Sequence, residues 1–344
     1  MSFIVSHLHK KYGEKTVVED LSFAMKEPGV YALLGTNGAG KTTSIRMMLN
    51  MLARDGGEVL WEGQPLSTDT CNVGYLAEER GLYPKYSLMD QLVYFASLRG
   101  VPSWEAKQRI RYWAKRLEAE EYLYADAAAA AAQADSGMTP ETVTPKEGAE
   151  VAVGKKKAKT AKKSKAFKPK LADQLSKGNQ QKIQFMIALI SEPELIILDE
   201  PLSGLDPVNT DLFKGIIRDE IAKGKYLIMS SHQMATVEEF CTDITILDRS
   251  RTVLQGNLND IKRSYGRVNL HLKTEGDAAA YITACGGQIL TAKAGEYQIK
   301  VTGEHQANQI LASLITAGIP VITFDLREPS LHEIFVEKVG DRHE

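Results

Sequence analysis

Gly35-Thr-Asn-Gly-Ala-Gly-Lys-Thr42 is the stretch of this 344-residue chain that decides the fold. It follows Val30–Leu34, an apolar segment that predicts a buried strand, and it precedes a helical pattern from Lys41 to Leu52. GxxxxGK[ST] between a strand and a helix binds phosphate, because the glycines let backbone N–H groups converge and the helix N-terminus adds a positive dipole. The predicted fold class is therefore α/β, with a P-loop nucleotide-binding domain.

A second apolar strand, Leu195-Ile-Ile-Leu-Asp-Glu200, ends in two carboxylates. Alternating strands and helices predict a mostly parallel sheet, whose carboxyl edge would bring Asp199 beside the glycine loop. We expect Thr42 and Asp199 to hold Mg²⁺, Lys41 to bridge the β- and γ-phosphates, and Glu200 to accept a proton from the attacking water. The predicted cofactors are ATP and Mg²⁺, and the predicted activity is ATP hydrolysis.

Leu175-Ser-Lys-Gly-Asn-Gln-Gln-Lys182 lies shortly before this second strand. With the glycine loop and Asp199-Glu200, it resembles the ATP-binding cassette (ABC) ATPases over roughly residues 1–250, outside an inserted loop. The resemblance implies that two cassettes enclose MgATP head to tail, with Ser176 and Gly178 of one chain contacting the γ-phosphate held by the other. A second, identical ATPase subunit is the expected partner.

The remaining site residues follow from this resemblance. Tyr12 is expected to stack on adenine. His232 is expected to sense the γ-phosphate and to be the third catalytic residue, together with Lys41 and Glu200. Asp206 is expected to lie in the loop that passes between the two subunits. Glu78 stands where the family usually has Gln, so we expect it to keep an oxygen for Mg²⁺ while adding negative charge. The glycine loop should contact nucleotide through Gly35, Asn37, Gly38, Ala39, Gly40, Lys41, Thr42 and Thr43.

A change in composition marks the domain organisation. From about 127 to 167 the chain has an alanine run and the lysine-rich Lys155–Lys165 with almost no large apolar side chains, which predicts a mostly disordered insert. It interrupts a predicted helical subdomain at about 85–190. We expect residues 1–264 to form the nucleotide-binding domain, with an antiparallel β-subdomain, and 265–344 a small α+β ferredoxin-like domain in β-α-β-β-α-β order.

Bulk properties restrict the function classes. The formal net charge of -2 gives no general attraction to nucleic acid. The three cysteines are widely separated, which predicts reduced thiols rather than a metal site. No apolar run approaches the ~18 residues that span a bilayer, so any membrane role is expected to depend on a partner.

Glu79-Arg-Gly-Leu-Tyr-Pro84 and Glu328–Phe335 resemble exporter ATPases of the sodium-efflux and bacitracin types. This implies an exporter subunit, peripheral on the cytoplasmic face of the membrane, that works with an integral membrane permease. The lysine-rich tract leaves contact with anionic lipid open. The alternative is a soluble regulatory ABC ATPase acting on ribosomes or nucleic acid; a single cassette without a heptad run favours transport.

Overall fold

The computed structural model describes residues 2–78, 81–124 and 170–340, so the insert predicted at 127–167 lies outside it. Two compact units divide the chain. The first combines Met1–Val73, Glu194–Pro201 and Glu220–Glu344, and the second combines Gly74–Pro193 and Leu202–Asp219.

Strands and helices follow one another through both units. The strands are β1 (Phe3–Tyr12), β2 (Lys15–Met25), β3 (Gly29–Gly35), β4 (Gly56–Trp61), β5 (Gln64–Pro65), β6 (Val73–Leu76), β7 (Leu195–Asp199), β8 (Tyr226–Ser231), β9 (Asp243–Asp248), β10 (Arg251–Asn257), β11 (Asn269–Thr274), β12 (Gln288–Lys293), β13 (Glu296–Lys300) and β14 (Val321–Arg327). The helices are α1 (Lys41–Met48), α2 (Leu88–Leu98), α3 (Ser103–Arg116), α4 (Glu120–Leu123), α5 (Lys177–Leu189), α6 (Pro207–Ala222), α7 (Met234–Glu238), α8 (Leu258–Tyr265), α9 (Ala279–Ala284), α10 (Glu304–Thr316) and α11 (Leu331–Gly340).

Parallel strands form the centre of the first unit. They run in the order β9-β3-β8-β7, and β10 pairs antiparallel with β9. All seven residues of β3 and all five of β7 are buried, as expected for strands that are covered on both faces. Because β3 pairs with β8 and β8 with β7, the carboxyl ends of these strands reach one edge of the sheet.

Two antiparallel sheets complete the first unit. One has the strand order β2-β1-β4-β5. Alternating apolar residues over 3–10 and 17–25 predict an antiparallel pair, and the pairing of β1 with β2 confirms it. The other has the order β12-β13-β11-β14 and confirms the predicted β-α-β-β-α-β order of a ferredoxin-like fold. Its strands and α9 and α10 enclose their own core of Leu270, Leu272, Ala278, Ile282, Tyr297, Ile299, Val301, Ala307, Ile310 and Leu314.

The second unit is largely helical. Helix α2 packs on α3 and α5, and α3 also contacts α4. The rings of Phe185 on α5 and Phe213 on α6 stack with centroids 4.5 Å apart and both are fully buried. Such aromatic contacts bury large areas and fix the two helices against each other.

Some predicted boundaries differ from the structure. The sequence pattern predicts helices over 174–190 and 212–223. Helix α5 begins instead at Lys177, because Leu175 and Ser176 are extended and Ser176 caps the helix. Helix α6 begins five residues before Leu212, because Asp206 accepts the Asn209 N–H at 2.9 Å and Pro207 occupies the first helical position. Helix α1 ends at Met48, and Asn50 follows with φ 54°. Strand β10 and helices α7 and α8 were not predicted.

Across the ranges that the structure describes, the helices are all too short or too polar to cross a bilayer.

The core of the 265–344 region gives a stability prediction. Leu272 is fully buried on β11, whereas Ile322 on β14 is 56% exposed. We expect Leu272→Ala to lower the free energy of unfolding of this region by about 2–5 kcal/mol through lost burial and a cavity, and Ile322→Ala to change it by less than ~0.5 kcal/mol. Urea unfolding followed by hydrogen exchange in β11 and β13 measures both variants. Equal effects would contradict the core as described.

Candidate active site

The glycine loop joins β3 to α1 at the carboxyl edge of the parallel sheet. A Cβ on Gly35 would lie 2.3 Å from the Leu247 carbonyl oxygen, and one on Gly40 would lie 2.6 Å from the Val17 carbonyl oxygen. Both glycines also have positive φ, 152° and 109°. The backbone can therefore approach Leu247 and Val17 this closely only without side chains at these two positions.

Lys41 turns back over this loop. Its ammonium group donates to the carbonyl oxygens of Gly35 at 2.9 Å and Thr36 at 3.3 Å, and its Nζ lies 3.4 Å from Glu200 Oε1. Both charged side chains are only 6% exposed. Each buried charge is therefore compensated by the other, and removing one partner would leave the other buried and unpaired.

A buried serine, Ser230, forms hydrogen bonds with the residues at the end of β7. The Ser230 hydroxyl donates to Asp199 Oδ1 at 2.5 Å and accepts the Glu200 N–H at 2.9 Å. Thr42 Oγ1, on the first turn of α1, donates to the same Asp199 oxygen at 3.2 Å. Asp199 and Thr42, the two predicted Mg²⁺ ligands of the first unit, are thus in direct contact.

Glu200 has an unusual backbone conformation and two close polar neighbours. Its φ is 49°, in the left-handed region that a residue with a Cβ adopts only at a cost. Its Oε2 lies 2.9 Å from His232 Nδ1, and its Oε1 faces Lys41. The His232 side chain is 43% exposed while the Glu200 side chain is buried. Backbone strain of this kind persists only where surrounding contacts stabilise it, and it is common at functional sites that require one side-chain orientation.

These residues suit a magnesium-bound nucleotide. The close-approach glycines and the N-terminus of α1, which has no side-chain cap, offer backbone N–H groups to phosphate. Thr42 and Asp199 supply hydroxyl and carboxylate oxygens, which Mg²⁺ prefers, and Mg²⁺ commonly takes one or two carboxylates with substrate phosphates. Within the described residues no group of three or more His, Cys, Asp or Glu is arranged to hold a metal ion.

Tyr12 lies at the exposed end of β1 in the first unit. Lys10 Nζ sits 5.3 Å from the centre of its ring, and β2, which pairs with β1, carries the Val17 carbonyl that faces Gly40. The ring offers a face to an incoming aromatic group, and its stacking on adenine stays a prediction.

The signature residues belong to the second unit. Ser176 is exposed and caps α5 by accepting the Asn179 N–H at 3.3 Å. A Cβ on Gly178 would have ordinary contacts, 3.6 Å to Leu205 and 3.9 Å to Asn209. Glu78 is exposed in the same unit. The γ-phosphate contact of Ser176 and Gly178, and the Mg²⁺ contact of Glu78, stay predictions.

Asp206 directly precedes α6, and Lys182 is buried on the signature helix α5. Hydrogen bonds from the backbone N–H and side chain of Asn209 hold the pKa of Asp206 below its ordinary value. Burial lowers the pKa of Lys182, against the opposing fields of Glu118, Asp206 and Glu121.

Sequence reasoning missed Ser230. Its role as a bridge between Asp199 and the Glu200 backbone depends on the pairing of β7 with β8, which juxtaposes Asp199 and Ser230. The sequence did carry a signal for this role. Two serines, Ser230 and Ser231, directly follow the apolar segment Tyr226–Met229.

Ser230 gives a prediction with an adjacent control. We expect Ser230→Ala to lower the free energy of unfolding by about 1–3 kcal/mol, because the buried Glu200 N–H and Asp199 carboxylate lose this partner. Ser231→Ala, which removes one hydrogen bond to the Gln233 N–H, should cost about 1 kcal/mol or less. Thermal unfolding of both variants checks this; a milder effect of Ser230→Ala than of Ser231→Ala would contradict the bridge.

Comparison with known proteins agrees with this geometry. Residues 18–203 match the family model "ABC transporter", and 256–339 match "ATP-binding protein DrrA1-3-like, C-terminal domain". The chain is 36% identical over 341 residues to the uncharacterized ABC transporter ATP-binding protein YhaQ of Bacillus subtilis, covering 99% of both chains. It is 26% identical over 346 residues to the linearmycin resistance ATP-binding protein LnrL of the same species, covering 97% of both.

A solved structure shows the same fold. "Structure of ATP binding subunit of ABC transporter" superposes with a TM-score of 0.59 at 24% identity, covering 77% of this chain and 93% of that one. The matched family model spans the glycine loop, the signature and Asp199-Glu200, and the described geometry places the loop and both carboxylates at one sheet edge. The chain belongs to the ABC transporter ATP-binding proteins and carries a DrrA-like C-terminal domain.

Proposed function

We propose that this chain hydrolyses MgATP to drive export through a separate membrane-spanning permease. The observation that carries the proposal is the Glu200 carboxylate, buried between Lys41 Nζ at 3.4 Å and His232 Nδ1 at 2.9 Å on a left-handed backbone. The family implies ATP binding and hydrolysis; the roles of individual residues and the direction of transport are our proposal.

Each residue has one task in the proposed reaction. Lys41 and the loop N–H groups bind the β- and γ-phosphates, and Thr42 and Asp199 would hold Mg²⁺, which neutralises charge on phosphoryl oxygens when bound. Glu200 accepts the proton of the attacking water at a carboxylate oxygen. His232 orients Glu200 through its hydrogen bond and reaches toward the γ-phosphate from its exposed side.

Glu200→Gln tests the proposed base. The amide keeps the size of the side chain but cannot accept the proton, so we expect kcat to fall about 10²–10⁴-fold while ATP still binds. Steady-state turnover and ATP binding, measured on the same preparation, test whether Glu200 is the base. Unchanged turnover would remove Glu200 from this role. Glu296→Gln, which makes the same change at an exposed carboxylate that pairs with Lys273, serves as the control.

The signature is proposed to act on the nucleotide of a second, identical chain. Ser176 is exposed and Gly178 is only partly buried, so both are available to a partner. Two inactive variants can test this directly. Lys41→Ala disables the loop and leaves the signature intact, and Ser176→Tyr does the reverse.

Mixing these two variants should restore turnover. In a mixed dimer one site joins an intact loop to an intact signature, so equal mixing should give about a quarter of wild-type turnover, since half of the dimers are mixed and each has one active site of two. ATPase assays of each variant alone and of the mixture measure this. Failure of the mixture to exceed either variant would contradict action in trans between identical chains.

Export and the permease partner rest on several observations. LnrL is named for linearmycin resistance, and the subgroup resemblance indicates efflux.

An aromatic surface, defined by Tyr83, Tyr86, Tyr94 and Leu98, lies in the second unit with each side chain at least half exposed. Tyr83 is edge-on to Tyr86 at 5.9 Å and stacks on Phe95 at 6.3 Å, which holds the rings in place. Tyrosine-rich surfaces are typical of protein interfaces, so we propose that the permease docks here and holds the chain at the cytoplasmic face of the membrane.

Removing the aromatic surface should release the chain from its permease. We expect the double variant Tyr86→Ala, Leu98→Ala to reduce recovery with native membranes by more than tenfold, since central aromatic contacts often contribute about 2 kcal/mol each. ATP binding should be kept. The control is Ile315→Ala, Ile322→Ala, which removes two equally exposed apolar side chains elsewhere.

The co-purifying proteins are identified in the same experiment. A stoichiometric polytopic membrane protein supports transport, whereas ribosomes or nucleic acid without one would favour the regulatory ATPase.

The chain is proposed to have two domains, 1–264 and 265–344. The separate core around Leu272 and Ile310 supports an accessory domain in this region. We propose that it serves as a scaffold or a dimer contact.

A further inference from the structure

Helix α7 begins two residues after His232. Its Met234 and Val237 side chains are buried, and Glu238 is its last residue. At its start the Gln233 N–H donates to the Ser231 hydroxyl oxygen at 2.9 Å, at the end of β8. The backbone that carries His232 is therefore joined directly to a short, packed helix.

Burial does not fix the His232 ring. Its side chain is 43% exposed, and its Nδ1 lies 2.9 Å from Glu200 Oε2. A ring that is packed on so few sides depends on its backbone for its position. A shift of α7 would therefore change the distance between the imidazole and the Glu200 carboxylate.

The Glu238 carboxylate connects α7 with two other helices of the first unit. Its Oε1 accepts a hydrogen bond from Lys262 Nζ, on α8, at 2.6 Å. Its Oε2 accepts the N–H of Leu331, the first residue of α11, at 3.2 Å. The Glu238 and Lys262 side chains are each only 22% exposed, so water screens this ion pair less than it screens a fully exposed pair.

The charge of Glu238 is stabilised by helices other than its own. A carboxylate is disfavoured by the dipole at the C-terminal end of a helix and favoured at the N-terminal end. Glu238 lies at the end of α7 and at the start of α11, and α11 also packs on α7. The carboxylate therefore gains its stabilisation from α8 and α11, and in doing so it joins α7 to both.

We propose that Glu238 is a positioning residue that holds His232 beside Glu200 through α7. Because the Leu331 N–H belongs to the proposed 265–344 domain, the same contact makes that domain a scaffold for the hydrolytic site. The inference rests on the proposed role of His232 and adds the group that fixes its position.

Turnover of the full-length chain tests this role. Glu238→Ala removes both contacts, and we expect kcat to fall about tenfold or more while the affinity for ATP stays at the wild-type level, because misplacement of a reacting group costs rate rather than ground-state binding. Glu238→Gln keeps an oxygen for the Leu331 N–H and loses the charge that faces Lys262, so its kcat should lie between the two.

A matched variant controls for the loss of an ion pair in the same unit. Glu296→Ala removes the carboxylate that lies 2.5 Å from Lys273 Nζ and should leave kcat unchanged. An equal loss of turnover in Glu296→Ala and Glu238→Ala would contradict a specific role of Glu238.

A His232→Ala background separates positioning from general stability. If Glu238 acts through His232, adding Glu238→Ala to His232→Ala should lower kcat no further, since effects that share one residue are not additive. A second fall of the same size would show that Glu238 acts by another route and would overturn the proposal.

Hydrogen exchange reports the contact without catalysis. The Cys241 N–H donates to the Val237 carbonyl oxygen at 3.0 Å, at the end of α7. Glu238→Ala should accelerate exchange at this amide and leave the amides of β11 and β13 at the wild-type rate. Unchanged exchange at Cys241, or equal acceleration in β11 and β13, would contradict a local restraint on α7.

The single variants distinguish this inference from the proposed function. A loss of turnover in His232→Ala without a loss in Glu238→Ala would overturn this inference alone. Unchanged turnover in His232→Ala would overturn the proposed role of His232, and this inference with it.

Discussion

The pairing of β3, β8 and β7 is the constraint on which the rest of the site depends. Leu34 pairs with Ser231, and Asp199 pairs with Ser230, so the glycine loop, the two carboxylates and His232 emerge from neighbouring strands at one edge. A shift of one residue would turn every side chain of a strand to the opposite face. The complete burial of β3 and β7 fixes this register, because any shift would also disturb the packing of a core strand.

That register also explains how a strained residue is tolerated. Glu200 follows Asp199 with φ 49°, and its N–H is held by Ser230 from the neighbouring strand. The carboxylate is then held on two sides by Lys41 and His232. An interaction network that determines the side-chain position can offset a backbone cost of about 1–3 kcal/mol. The residue proposed to accept the proton, Glu200, therefore combines a strained backbone with a buried side chain next to a charged one.

Local patterns in the sequence predicted most of the chemistry-bearing residues. GxxxxGK[ST] and Leu-Asp-Glu are contiguous, and their residue types alone specify a turn, a helix start and an acidic strand end. The C-terminal strand and helix order was also readable, since its alternation is strong in β11 and β13. Ser230 could not be identified in this way, because its partner Asp199 is 31 residues away and the contact exists only through β-pairing. Helix α5 was placed too early because apolar periodicity does not show that Ser176 is extended and caps the helix.

The chain order has a further consequence for how nucleotide chemistry is transmitted. The second unit is made of two segments, and each is joined to the first unit close to a site residue. Pro201 follows Glu200 directly and leads into Leu202–Asp219, which carries Asp206, while Gly74 leads within a few residues to Glu78. Asp206 thus follows Glu200 by only six residues, and on either side of it Leu205 and Asn209 lie 3.6 Å and 3.9 Å from the position of a Cβ on Gly178 of the signature helix. The proposed base and the proposed signature contact are therefore joined by a short stretch of chain, so a coupling between them would need no long pathway through the fold.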